Sequence, residues 1–537
     1  PLPLNATLSD RLTAFRTAPG AGWEPATFVK WNLETCSNVV PNHNKDLLAK
    51  STLVWASLNS SEIMGHREKM AGFLEQKERE GAFHDPVHVS EGGKGLVGRG
   101  RGIVFTAGNA DTLSRVITAL RLIRHHHHCH LPALIFHFPS EAPPKDSSLR
   151  SDLALLNAKL VAATGRARDP SRQKNYHLKA QSIVDAPFSE VLYLDSDNLP
   201  ADNPELLFDM LNYKRLGVYF TPDYWKTSAS NPIWQIMGVQ CRDEWEQEAG
   251  QIVVDKTRHL DAMLLSLYML VDWEWWFYFS DGDKDVFRFA FLSLRKRWAL
   301  PGRYVGGGGL PRGTLSGDFC AHTMQQYDNA GKPFFVHYNL LKQIPSGVYR
   351  GFTWGRTKQV KAYPEPSIPV EEGLTKDEKM KKNPLKPHTP SQNPHYPPYP
   401  DPTIRGPTDV EADMLANADD EGRAIYTGNE EVRRRAALER GIRPYFHGGG
   451  NSAFCIDMRW EDPEPKRERI RVFKDVKEGE DKKDGEDKKG RWVGGQEVGI
   501  DWSENPLEIA QWSDDPRLRQ FEDVMYDLGF QPSGVGF

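Results

Sequence analysis

The chain has 537 residues, of which 39% are hydrophobic, so it is long enough to bury at least one large core. Its 68 Lys and Arg residues face 73 Asp and Glu residues, and the resulting net charge of −5 lacks the basic excess of a general nucleic-acid-binding protein. No run of apolar residues reaches the roughly 18–20 positions that a membrane-spanning helix needs.

Three features are compatible with a secretory protein. The sequence begins at Pro1 rather than at Met, and we expect that a signal peptide or a membrane anchor has been removed. The five cysteines are far apart and form no CxxC pair, so they leave room for one or two disulfides and an odd thiol but not for a zinc finger. Two glycosylation sequons, Asn5-Ala6-Thr7 and Asn59-Ser60-Ser61, are also present.

Composition divides the chain into four parts. Residues 1–98 are predicted to be a helical region, with its clearest helix around Glu62–Glu80. Residues 99–361 are predicted to be an α/β domain, residues 362–425 a linker or surface insertion, and residues 426–537 an extension that packs on the α/β domain.

The second part alternates short apolar runs with amphipathic helical patterns. In chain order it predicts strand Ile103–Ala107, helix Asp111–Arg124, strand Leu134–Phe138, helix Lys174–Val184, strand Val191–Leu194, helix Val286–Arg295 and strand Phe334–Val336. Strands that alternate with helices predict βαβ units and a largely parallel sheet.

The last two parts are compositionally different. Twelve prolines lie between Pro364 and Pro407, which favours extended, solvated backbone; a spacer is the preferred interpretation and a PxxP docking segment the alternative. A helix is predicted around Glu430–Arg440. The run Lys474–Lys489 alternates charges of both signs, and it is interpreted as a solvated loop.

The strongest chemical signal follows the strand Val191–Leu194. Asp195 and Asp197 come directly after it, at the end of a strand where ligands of α/β sheets bind. Two carboxylates at that spacing suit a hard divalent cation such as Mn²⁺ or Mg²⁺, which in turn holds phosphates. An ordinary Asx-rich turn is the alternative interpretation.

These residues resemble a known family. The order of several segments is similar to that of the fungal Golgi α-mannosyltransferases that branch mannan (glycosyltransferase family 71), over roughly Gly100 to Lys342. The segments are Gly100–Asn109, Leu131–Glu141, Tyr176–Asn198, Phe220–Trp225, Glu248–His259, Gly282–Ala290 and Phe334–Lys342. The resemblance implies a GT-A type, Rossmann-like mixed sheet flanked by helices, a GDP-mannose donor, Mn²⁺ (or Mg²⁺), and transfer with retention of configuration.

Both the resemblance and the residue pattern assign residues to the binding of the donor and the metal. The resemblance implies that His337 is a third metal ligand beside Asp195 and Asp197, and Lys342 lies near enough in sequence to neutralise the leaving diphosphate. Small residues at the end of the first strand let a nucleotide approach the backbone. The predicted donor-binding residues are Thr106, Ala107, Gly108, Lys179, Asp195 and Lys342. The alternative for Lys179 is an ordinary exposed lysine on a helix, which would have the same sequence pattern.

The acidic loop Asp283-Lys284-Asp285 resembles one that meets the acceptor and the reacting face of the sugar. Asp283 and Asp285 are therefore predicted to be catalytic, and Glu248 is the third predicted catalytic residue. The alternative is an ordinary turn in which Asp285 is the N-cap of the helix Val286–Arg295.

Aromatic and acidic residues supply the predicted acceptor contacts. The candidates are Asp223, Tyr224, Trp225 and Trp276. Trp276 belongs to a dense aromatic run from Trp273 to Tyr278, and such a run more often lies in a core than against a sugar.

Two conspicuous runs are given structural interpretations. His125–His128, Cys129 and His130 are predicted to be a polar helix-to-strand loop, since consecutive residues cannot all point at one metal. Gly306–Gly309 lacks the Lys-Ser/Thr of a phosphate loop, and it is predicted to be a mobile loop that acts as a lid.

The sequence therefore predicts a metal-dependent transferase that joins mannose to a mannoside acceptor through an α-1,2 or α-1,3 bond. Its expected partners are a nucleotide sugar and a glycan, without nucleic acid, and its expected location is the lumen of the Golgi on a membrane anchor. One alternative is a glycogenin-like enzyme that uses a UDP-sugar. The other is a non-catalytic glycan-binding relative, and a glycoside hydrolase is disfavoured because no dedicated carboxylate pair is evident.

Overall fold

The computed structural model describes residues 2–36, 53–54, 58–84, 95–144, 147–172, 174–242, 244–280, 282–311, 319–341, 348–362, 438–447, 455–461, 470–472, 496–498 and 504–532. The proline-rich segment, the charged run Lys474–Lys489, Lys342 and most of the helix predicted around Glu430–Arg440 lie outside these residues.

The described residues form twelve α-helices, four of which begin at a polar side chain that caps them. They are α1 (Leu8–Arg16), α2 (Pro25–Leu33), α3 (Ser60–Arg79), α4 (Ala110–Arg121), α5 (Leu149–Leu155), α6 (His177–Asp185), α7 (Leu211–Leu216), α8 (Ile233–Met237), α9 (Lys256–Val271), α10 (Trp273–Trp276), α11 (Lys284–Ser293) and α12 (Phe521–Asp527). Asn59 and Glu62 form a capping box on α3, and Asn109 caps α4. Within the described ranges no helix is both long and apolar enough to cross a membrane.

The strands form two main sheets and one small hairpin. They are β1 (Arg101–Thr106), β2 (Ala133–His137), β3 (Ala158–Ala162), β4 (Glu190–Leu194), β5 (Asn198–Pro200), β6 (Val218–Lys226), β7 (Trp245–Asp255), β8 (Gly306–Gly309), β9 (Ala321–Tyr327), β10 (Pro333–His337), β11 (Arg356–Val360), β12 (Ile442–His447), β13 (Cys455–Trp460), β14 (Ile470–Val472), β15 (Gln496–Val498) and β16 (Leu507–Gln511).

The first sheet has the strand order β3-β2-β1-β4-β7-β6. Strands β1 to β4 are parallel, while β7 pairs antiparallel with both β4 and β6, so β7 runs against its neighbours. This mixed sheet flanked by helices confirms the predicted GT-A type α/β class. The strand β3 was not predicted, because it lies at the sheet edge, half exposed, and lacks the continuous apolar run of a central strand.

The second sheet corrects the expectation for Gly306–Gly309. These four residues are not a mobile lid but the buried strand β8, paired with β9 and β11. A Cβ atom on Gly306 would lie 2.2 Å from the Tyr327 hydroxyl, and one on Gly307 would lie 2.6 Å from the Ala321 Cβ. The glycines are therefore explained by close packing of the sheet rather than by flexibility.

The N-terminal helices are fastened to the α/β domain. A disulfide joins Cys36 to Cys241, and the buried guanidinium of Arg67 donates to the carbonyls of Ala18 and Ile236. A second disulfide joins Cys320 to Cys455, and Cys129 is a buried free thiol. The expectation of up to two disulfides and an odd thiol is confirmed.

Substitution of Gly307 tests the packing of β8. We expect Gly307→Ala to lower the free energy of unfolding by about 1–3 kcal/mol, because the new methyl group overlaps Ala321. Gly65→Ala in α3 is the matched control, since no atom lies within 4 Å of its new Cβ, and it should stabilise the chain by about 0.5–1 kcal/mol. Urea unfolding measures both, and equal effects would show that β8 is not closely packed.

Candidate active site

Two acidic residues and one histidine meet beyond the end of β4. Asp195 and Asp197 lie in the turn between β4 and β5, and the pairing of β10 with β5 places His337 opposite Asn198. One ligand atom from each of the three side chains lies within 4.8 Å of the others. Asp197 and His337 are buried, whereas Asp195 is partly open to solvent.

This set of donors suits a hard divalent cation. Carboxylate oxygens and a neutral imidazole nitrogen are ligands of Mn²⁺, and Mg²⁺ accepts the carboxylates. The buried Asn198 at the same turn has an Oδ1 atom without a hydrogen-bond partner in the described part of the chain, so the surroundings of the three ligands also offer an unsatisfied acceptor. The residues therefore fit the metal that the sequence predicts.

Glu248 holds the other side of the imidazole ring. In β7 its carboxylate lies 3.2 Å from His337 Nδ1, while Asp197 Oδ1 lies 3.4 Å from His337 Nε2. The backbone N–H of Gly250 and the side chain of Gln251 donate to the same carboxylate. A carboxylate on one imidazole nitrogen fixes the ring orientation and leaves the other nitrogen for a metal.

Burial lowers the pKa of His337, but the carboxylates of Glu248 and Asp197 outweigh burial and raise the pKa to about 10. In the metal-free protein His337 is therefore an imidazolium at neutral pH, and its positive charge lies between the carboxylates of Asp197 and Glu248.

Lys179 links the metal ligands to the acidic loop. Its ammonium lies 3.2 Å from Asp195, 2.8 Å from Asp283 and 2.8 Å from the carbonyl of Ala249. Burial lowers the pKa of Lys179, but the two carboxylates outweigh it and hold the pKa well above its ordinary value. Lys179 is thus a buried ion-paired cation of α6 rather than an exposed helical lysine.

A hydroxyl that the sequence analysis missed holds Asp195. The Tyr193 hydroxyl donates to Asp195 Oδ1 at 2.7 Å and lies 2.8 Å from Thr106 Oγ1. In the sequence Tyr193 was treated only as an apolar residue of the strand Val191–Leu194. The feature that could have identified it is a hydroxyl two positions before the Asp195 carboxylate. The donor-side residue Thr106 therefore supports the metal ligand.

The neighbouring positions Ala107 and Gly108 follow the end of β1, which pairs with the end of β4. A Cβ atom on Gly108 would lie 2.0 Å from a Glu141 carboxylate oxygen, so no larger residue fits there in this arrangement.

The two carboxylates of the acidic loop face different partners. Asp283 contacts Lys179 beside the metal ligands, whereas Asp285 lies 1% exposed in ion pairs with Lys284 and Arg288. The alternative in which Asp285 is an N-cap is wrong, because the N-cap position belongs to Asp283 and Asp285 lies inside the first turn of α11.

Three of the four acceptor candidates, Asp223, Tyr224 and Trp225, are consecutive residues of β6, whereas Trp276 belongs to a different core cluster from Tyr224 and Trp225. Asp223 is a buried carboxylate 3.1 Å from Lys284, and burial raises its pKa despite that lysine. Tyr224 donates to the carbonyl of Gly306 and is buried on β6 beside Trp225. Trp276 is 1% exposed in the hydrophobic core.

The histidine run is a helix-to-strand connection, as predicted. It continues α4 as a π-helical turn, Leu122–His126, and then leads towards β2. His127 contacts the carbonyl of Pro200 at 2.8 Å, and burial lowers its pKa to about 4. The ring is therefore neutral and structural.

Comparisons with known proteins agree with this geometry. Residues 100–247 and 239–328 match a family model described as a putative mannosyltransferase. Alpha-1,2-mannosyltransferase MNN21 of Candida albicans is 26% identical over 291 residues, which are 42% of this chain and 42% of that protein. Alpha-1,2-mannosyltransferase MNN2 of Saccharomyces cerevisiae is 25% identical over 180 residues, 24% of this chain and 30% of that protein.

These matches confirm the resemblance to fungal mannosyltransferases for the region that contains Asp195 and Asp197, the predicted metal ligands. The chain spans less than half the length of the curated relatives named above. Among solved structures, mannosyltransferase Ktr4p from S. cerevisiae is 11% identical with a TM-score of 0.24, covering 45% of this chain and 80% of that one. Galactosyltransferase LgtC is 15% identical with a TM-score of 0.26, covering 35% and 70%. Scores this low carry no argument about this chain.

The imidazolium state of His337 predicts that metal binding releases a proton. Because the cation must displace this proton, we expect Mn²⁺ affinity to rise by up to about tenfold per pH unit between pH 6 and pH 8. Calorimetric titration in two buffers of different ionisation enthalpy counts the released proton. The control is His337→Gln, which should bind Mn²⁺ more weakly and without that proton. Binding to the unaltered chain without proton release would contradict the assignment.

Proposed function

We propose that this chain is a metal-dependent glycosyltransferase that moves mannose from GDP-mannose to a hydroxyl of a mannoside acceptor, with retention of configuration. The observation that carries the proposal is the cluster of Asp195, Asp197 and His337. It lies at the end of a central strand, inside the segment that matches the mannosyltransferase family model. The names of the relatives favour an α-1,2 linkage over an α-1,3 linkage.

A bound Mn²⁺ or Mg²⁺ would supply positive charge that stabilises the departing diphosphate. Asp195, Asp197 and His337 would hold the ion, and the contact of Glu248 with the imidazole would keep the ring turned towards it. Lys179 pairs with both Asp195 and Asp283 and so holds the two carboxylates next to each other. Asp283 shares the Lys179 ammonium with Asp195, and it is the carboxylate that we propose meets the reacting face of the sugar.

The remaining parts of the proposal concern cell location and partners. Two disulfides agree with an oxidising compartment, which supports the proposal of a lumenal Golgi enzyme. Its substrates are a nucleotide sugar and a mannoside glycan.

Loss of a metal ligand tests the activity. Asp197→Ala should reduce mannose transfer by about 10³-fold, since the charge stabilisation by a bound cation is worth several kcal/mol. Asp209→Ala removes a largely exposed carboxylate of a surface ion pair and should leave transfer near normal. The assay measures GDP release and linkage of the product with Mn²⁺, GDP-mannose and α-mannobiose. Near-normal transfer by Asp197→Ala would sink the metal assignment.

The same assay separates the alternatives. Release of UDP from a UDP-sugar, with none of GDP from GDP-mannose, would identify the glycogenin-like enzyme. Binding of mannobiose without release of either nucleotide would identify a glycan-binding relative.

Glu248 was predicted to be catalytic, and its contact with His337 predicts a positioning role instead. Glu248→Gln should weaken Mn²⁺ binding by about 10–100-fold. Because the ligands remain, kcat should recover towards that of the unaltered enzyme when Mn²⁺ is saturating. A large loss of kcat that persists at saturating Mn²⁺ would place Glu248 against the reacting atoms.

A further inference from the structure

One edge of the first sheet carries a row of residues from four neighbouring strands. Strands β3, β2, β1 and β4 are adjacent in that order and parallel, so their carboxyl ends lie at the same edge. Arg168 follows β3, Glu141 follows β2, Gly108 follows β1 and Asp195 follows β4. The row therefore extends from the predicted metal ligands towards the β3 side of the sheet.

The carboxylate of Glu141 is held against the end of β1. Its backbone belongs to the short 3-10 turn Pro139–Glu141, where its N–H donates to the carbonyl of Phe138 at 2.9 Å. Glu141 Oε2 lies in the space that a Cβ atom on Gly108 would fill, and Arg168 Nε lies 3.0 Å from Glu141 Oε1. A guanidinium thus holds one oxygen, and the other oxygen lies beside the backbone of the strand end.

This carboxylate is accessible to a ligand. The side chain of Glu141 is 25% exposed and that of Arg168 is 33% exposed, and Gly108 is partly exposed as well. An ion pair this exposed contributes little to folding, because water screens it. Since each carboxylate oxygen has two acceptor sites, the contact with Arg168 leaves acceptors for a bound molecule.

The separation between Glu141 and the predicted metal ligands suits a nucleotide. Adjacent strands lie about 4.8 Å apart, so the end of β2 is about 10 Å from the end of β4, with β1 between them. The base and the terminal phosphate of an extended nucleoside diphosphate are separated by a distance of the same order. A nucleotide whose diphosphate lies at Asp195 and Asp197 would therefore pass the end of β1 and bring its base to Glu141.

A carboxylate distinguishes nucleobases by the hydrogen-bond donors on the edge of the base. Guanine presents two adjacent donors, N1–H and the N2 amino group, and a carboxylate accepts from both. Uracil presents one donor, N3–H, between two carbonyl oxygens that a carboxylate repels. Adenine and cytosine each place a ring-nitrogen acceptor beside their amino group. Guanine is therefore the base that a carboxylate at this position favours.

We propose that Glu141 selects GDP over other nucleoside diphosphates by accepting hydrogen bonds from N1–H and the N2 amino group of guanine. Arg168 is then a positioning residue that holds the carboxylate beside Gly108. This inference rests on the proposed function, since it concerns the donor of that transfer, and it adds to that function a residue that determines the base.

Binding of three diphosphates to the unaltered chain tests the proposal. Calorimetric titration with Mn²⁺ present compares GDP, IDP and UDP, and IDP is the decisive probe because it lacks only the N2 amino group of GDP. We expect GDP to bind at least about tenfold more tightly than IDP, since a hydrogen bond to a charged acceptor is lost, and UDP to bind most weakly. Equal binding of GDP and IDP would overturn the proposal.

Substitution of Glu141 locates the preference. Glu141→Gln keeps the size of the side chain but replaces one acceptor oxygen with a donor, so it should weaken GDP binding by about tenfold and IDP binding less. Glu190→Gln is the matched control, because Glu190 pairs with Arg101 at similar exposure at the other end of β4. It should leave the ratio of GDP to IDP affinity unchanged. An equal change of this ratio in both variants, or no change in Glu141→Gln, would contradict the assignment.

A second variant moves the carboxylate without removing it. A methyl group on Gly108 would take the position of Glu141 Oε2, so Gly108→Ala should also reduce the preference for GDP over IDP. If Glu141 had a merely structural role, Glu141→Gln and Gly108→Ala would weaken the binding of GDP and IDP equally, and that result would overturn the proposal.

The transfer assay separates failure of this inference from failure of the proposed function. If GDP and IDP bind equally while the unaltered chain transfers mannose from GDP-mannose, the proposed function stands and the role of Glu141 is wrong. If the chain binds UDP more tightly than GDP and releases only UDP, both are wrong.

Discussion

The candidate active site depends on how a group of largely buried carboxylates is held together. These carboxylates are Asp195, Asp197, Glu248 and Asp283. Lys179 sits between the first and the last of them, and the imidazolium of His337 sits between the other two. Buried like charges repel unless cations separate them, so these two cations tie α6, β4, β7, β10 and the start of α11 to one point. The four carboxylates can lie close together because the fold places Lys179 and His337 between them.

One reversed strand explains much of the arrangement. Because β7 runs antiparallel to β4, its residues Glu248 to Gly250 extend past Leu194, where β4 ends. That brings Glu248 to the imidazole and lets the carbonyl of Gly250 accept from the N–H of Asp195. The other end of β7 leads straight into α9, whose first residue, Lys256, donates to carbonyls at the end of α6. A single strand thus connects the acidic residues at one edge of the sheet to a basic residue at the other.

Sequence patterns predict those parts of this structure that local chemistry determines. The apolar strand before Asp195 and the apolar strand that ends at His337 were both recognisable in the sequence. In the structure the side chains of Asp195 and His337 do lie close together. The role of Gly306–Gly309 was not recognisable, since its glycines are set by the Tyr327 and Ala321 side chains of another strand. The different partners of Asp283 and Asp285 likewise depend on tertiary contacts between distant segments.

The four carboxylates form one polar cluster, and Glu190, Asp255 and Lys256 form another at the other end of β4. The apolar strand β4 separates them, and every one of its residues after Glu190 is buried. The two clusters lie about 16 Å apart, and no side chain belongs to both. The effects of substitutions in one cluster should therefore add to the effects of substitutions in the other, with little coupling. The predicted catalytic carboxylates and the polar residues at the other end of β4 therefore place separate demands on the sheet. The chain meets both by keeping the middle of β4 and β7 rigid and apolar, with strand pairing that runs from Glu190 opposite Asp255 to Leu194 opposite Gln251.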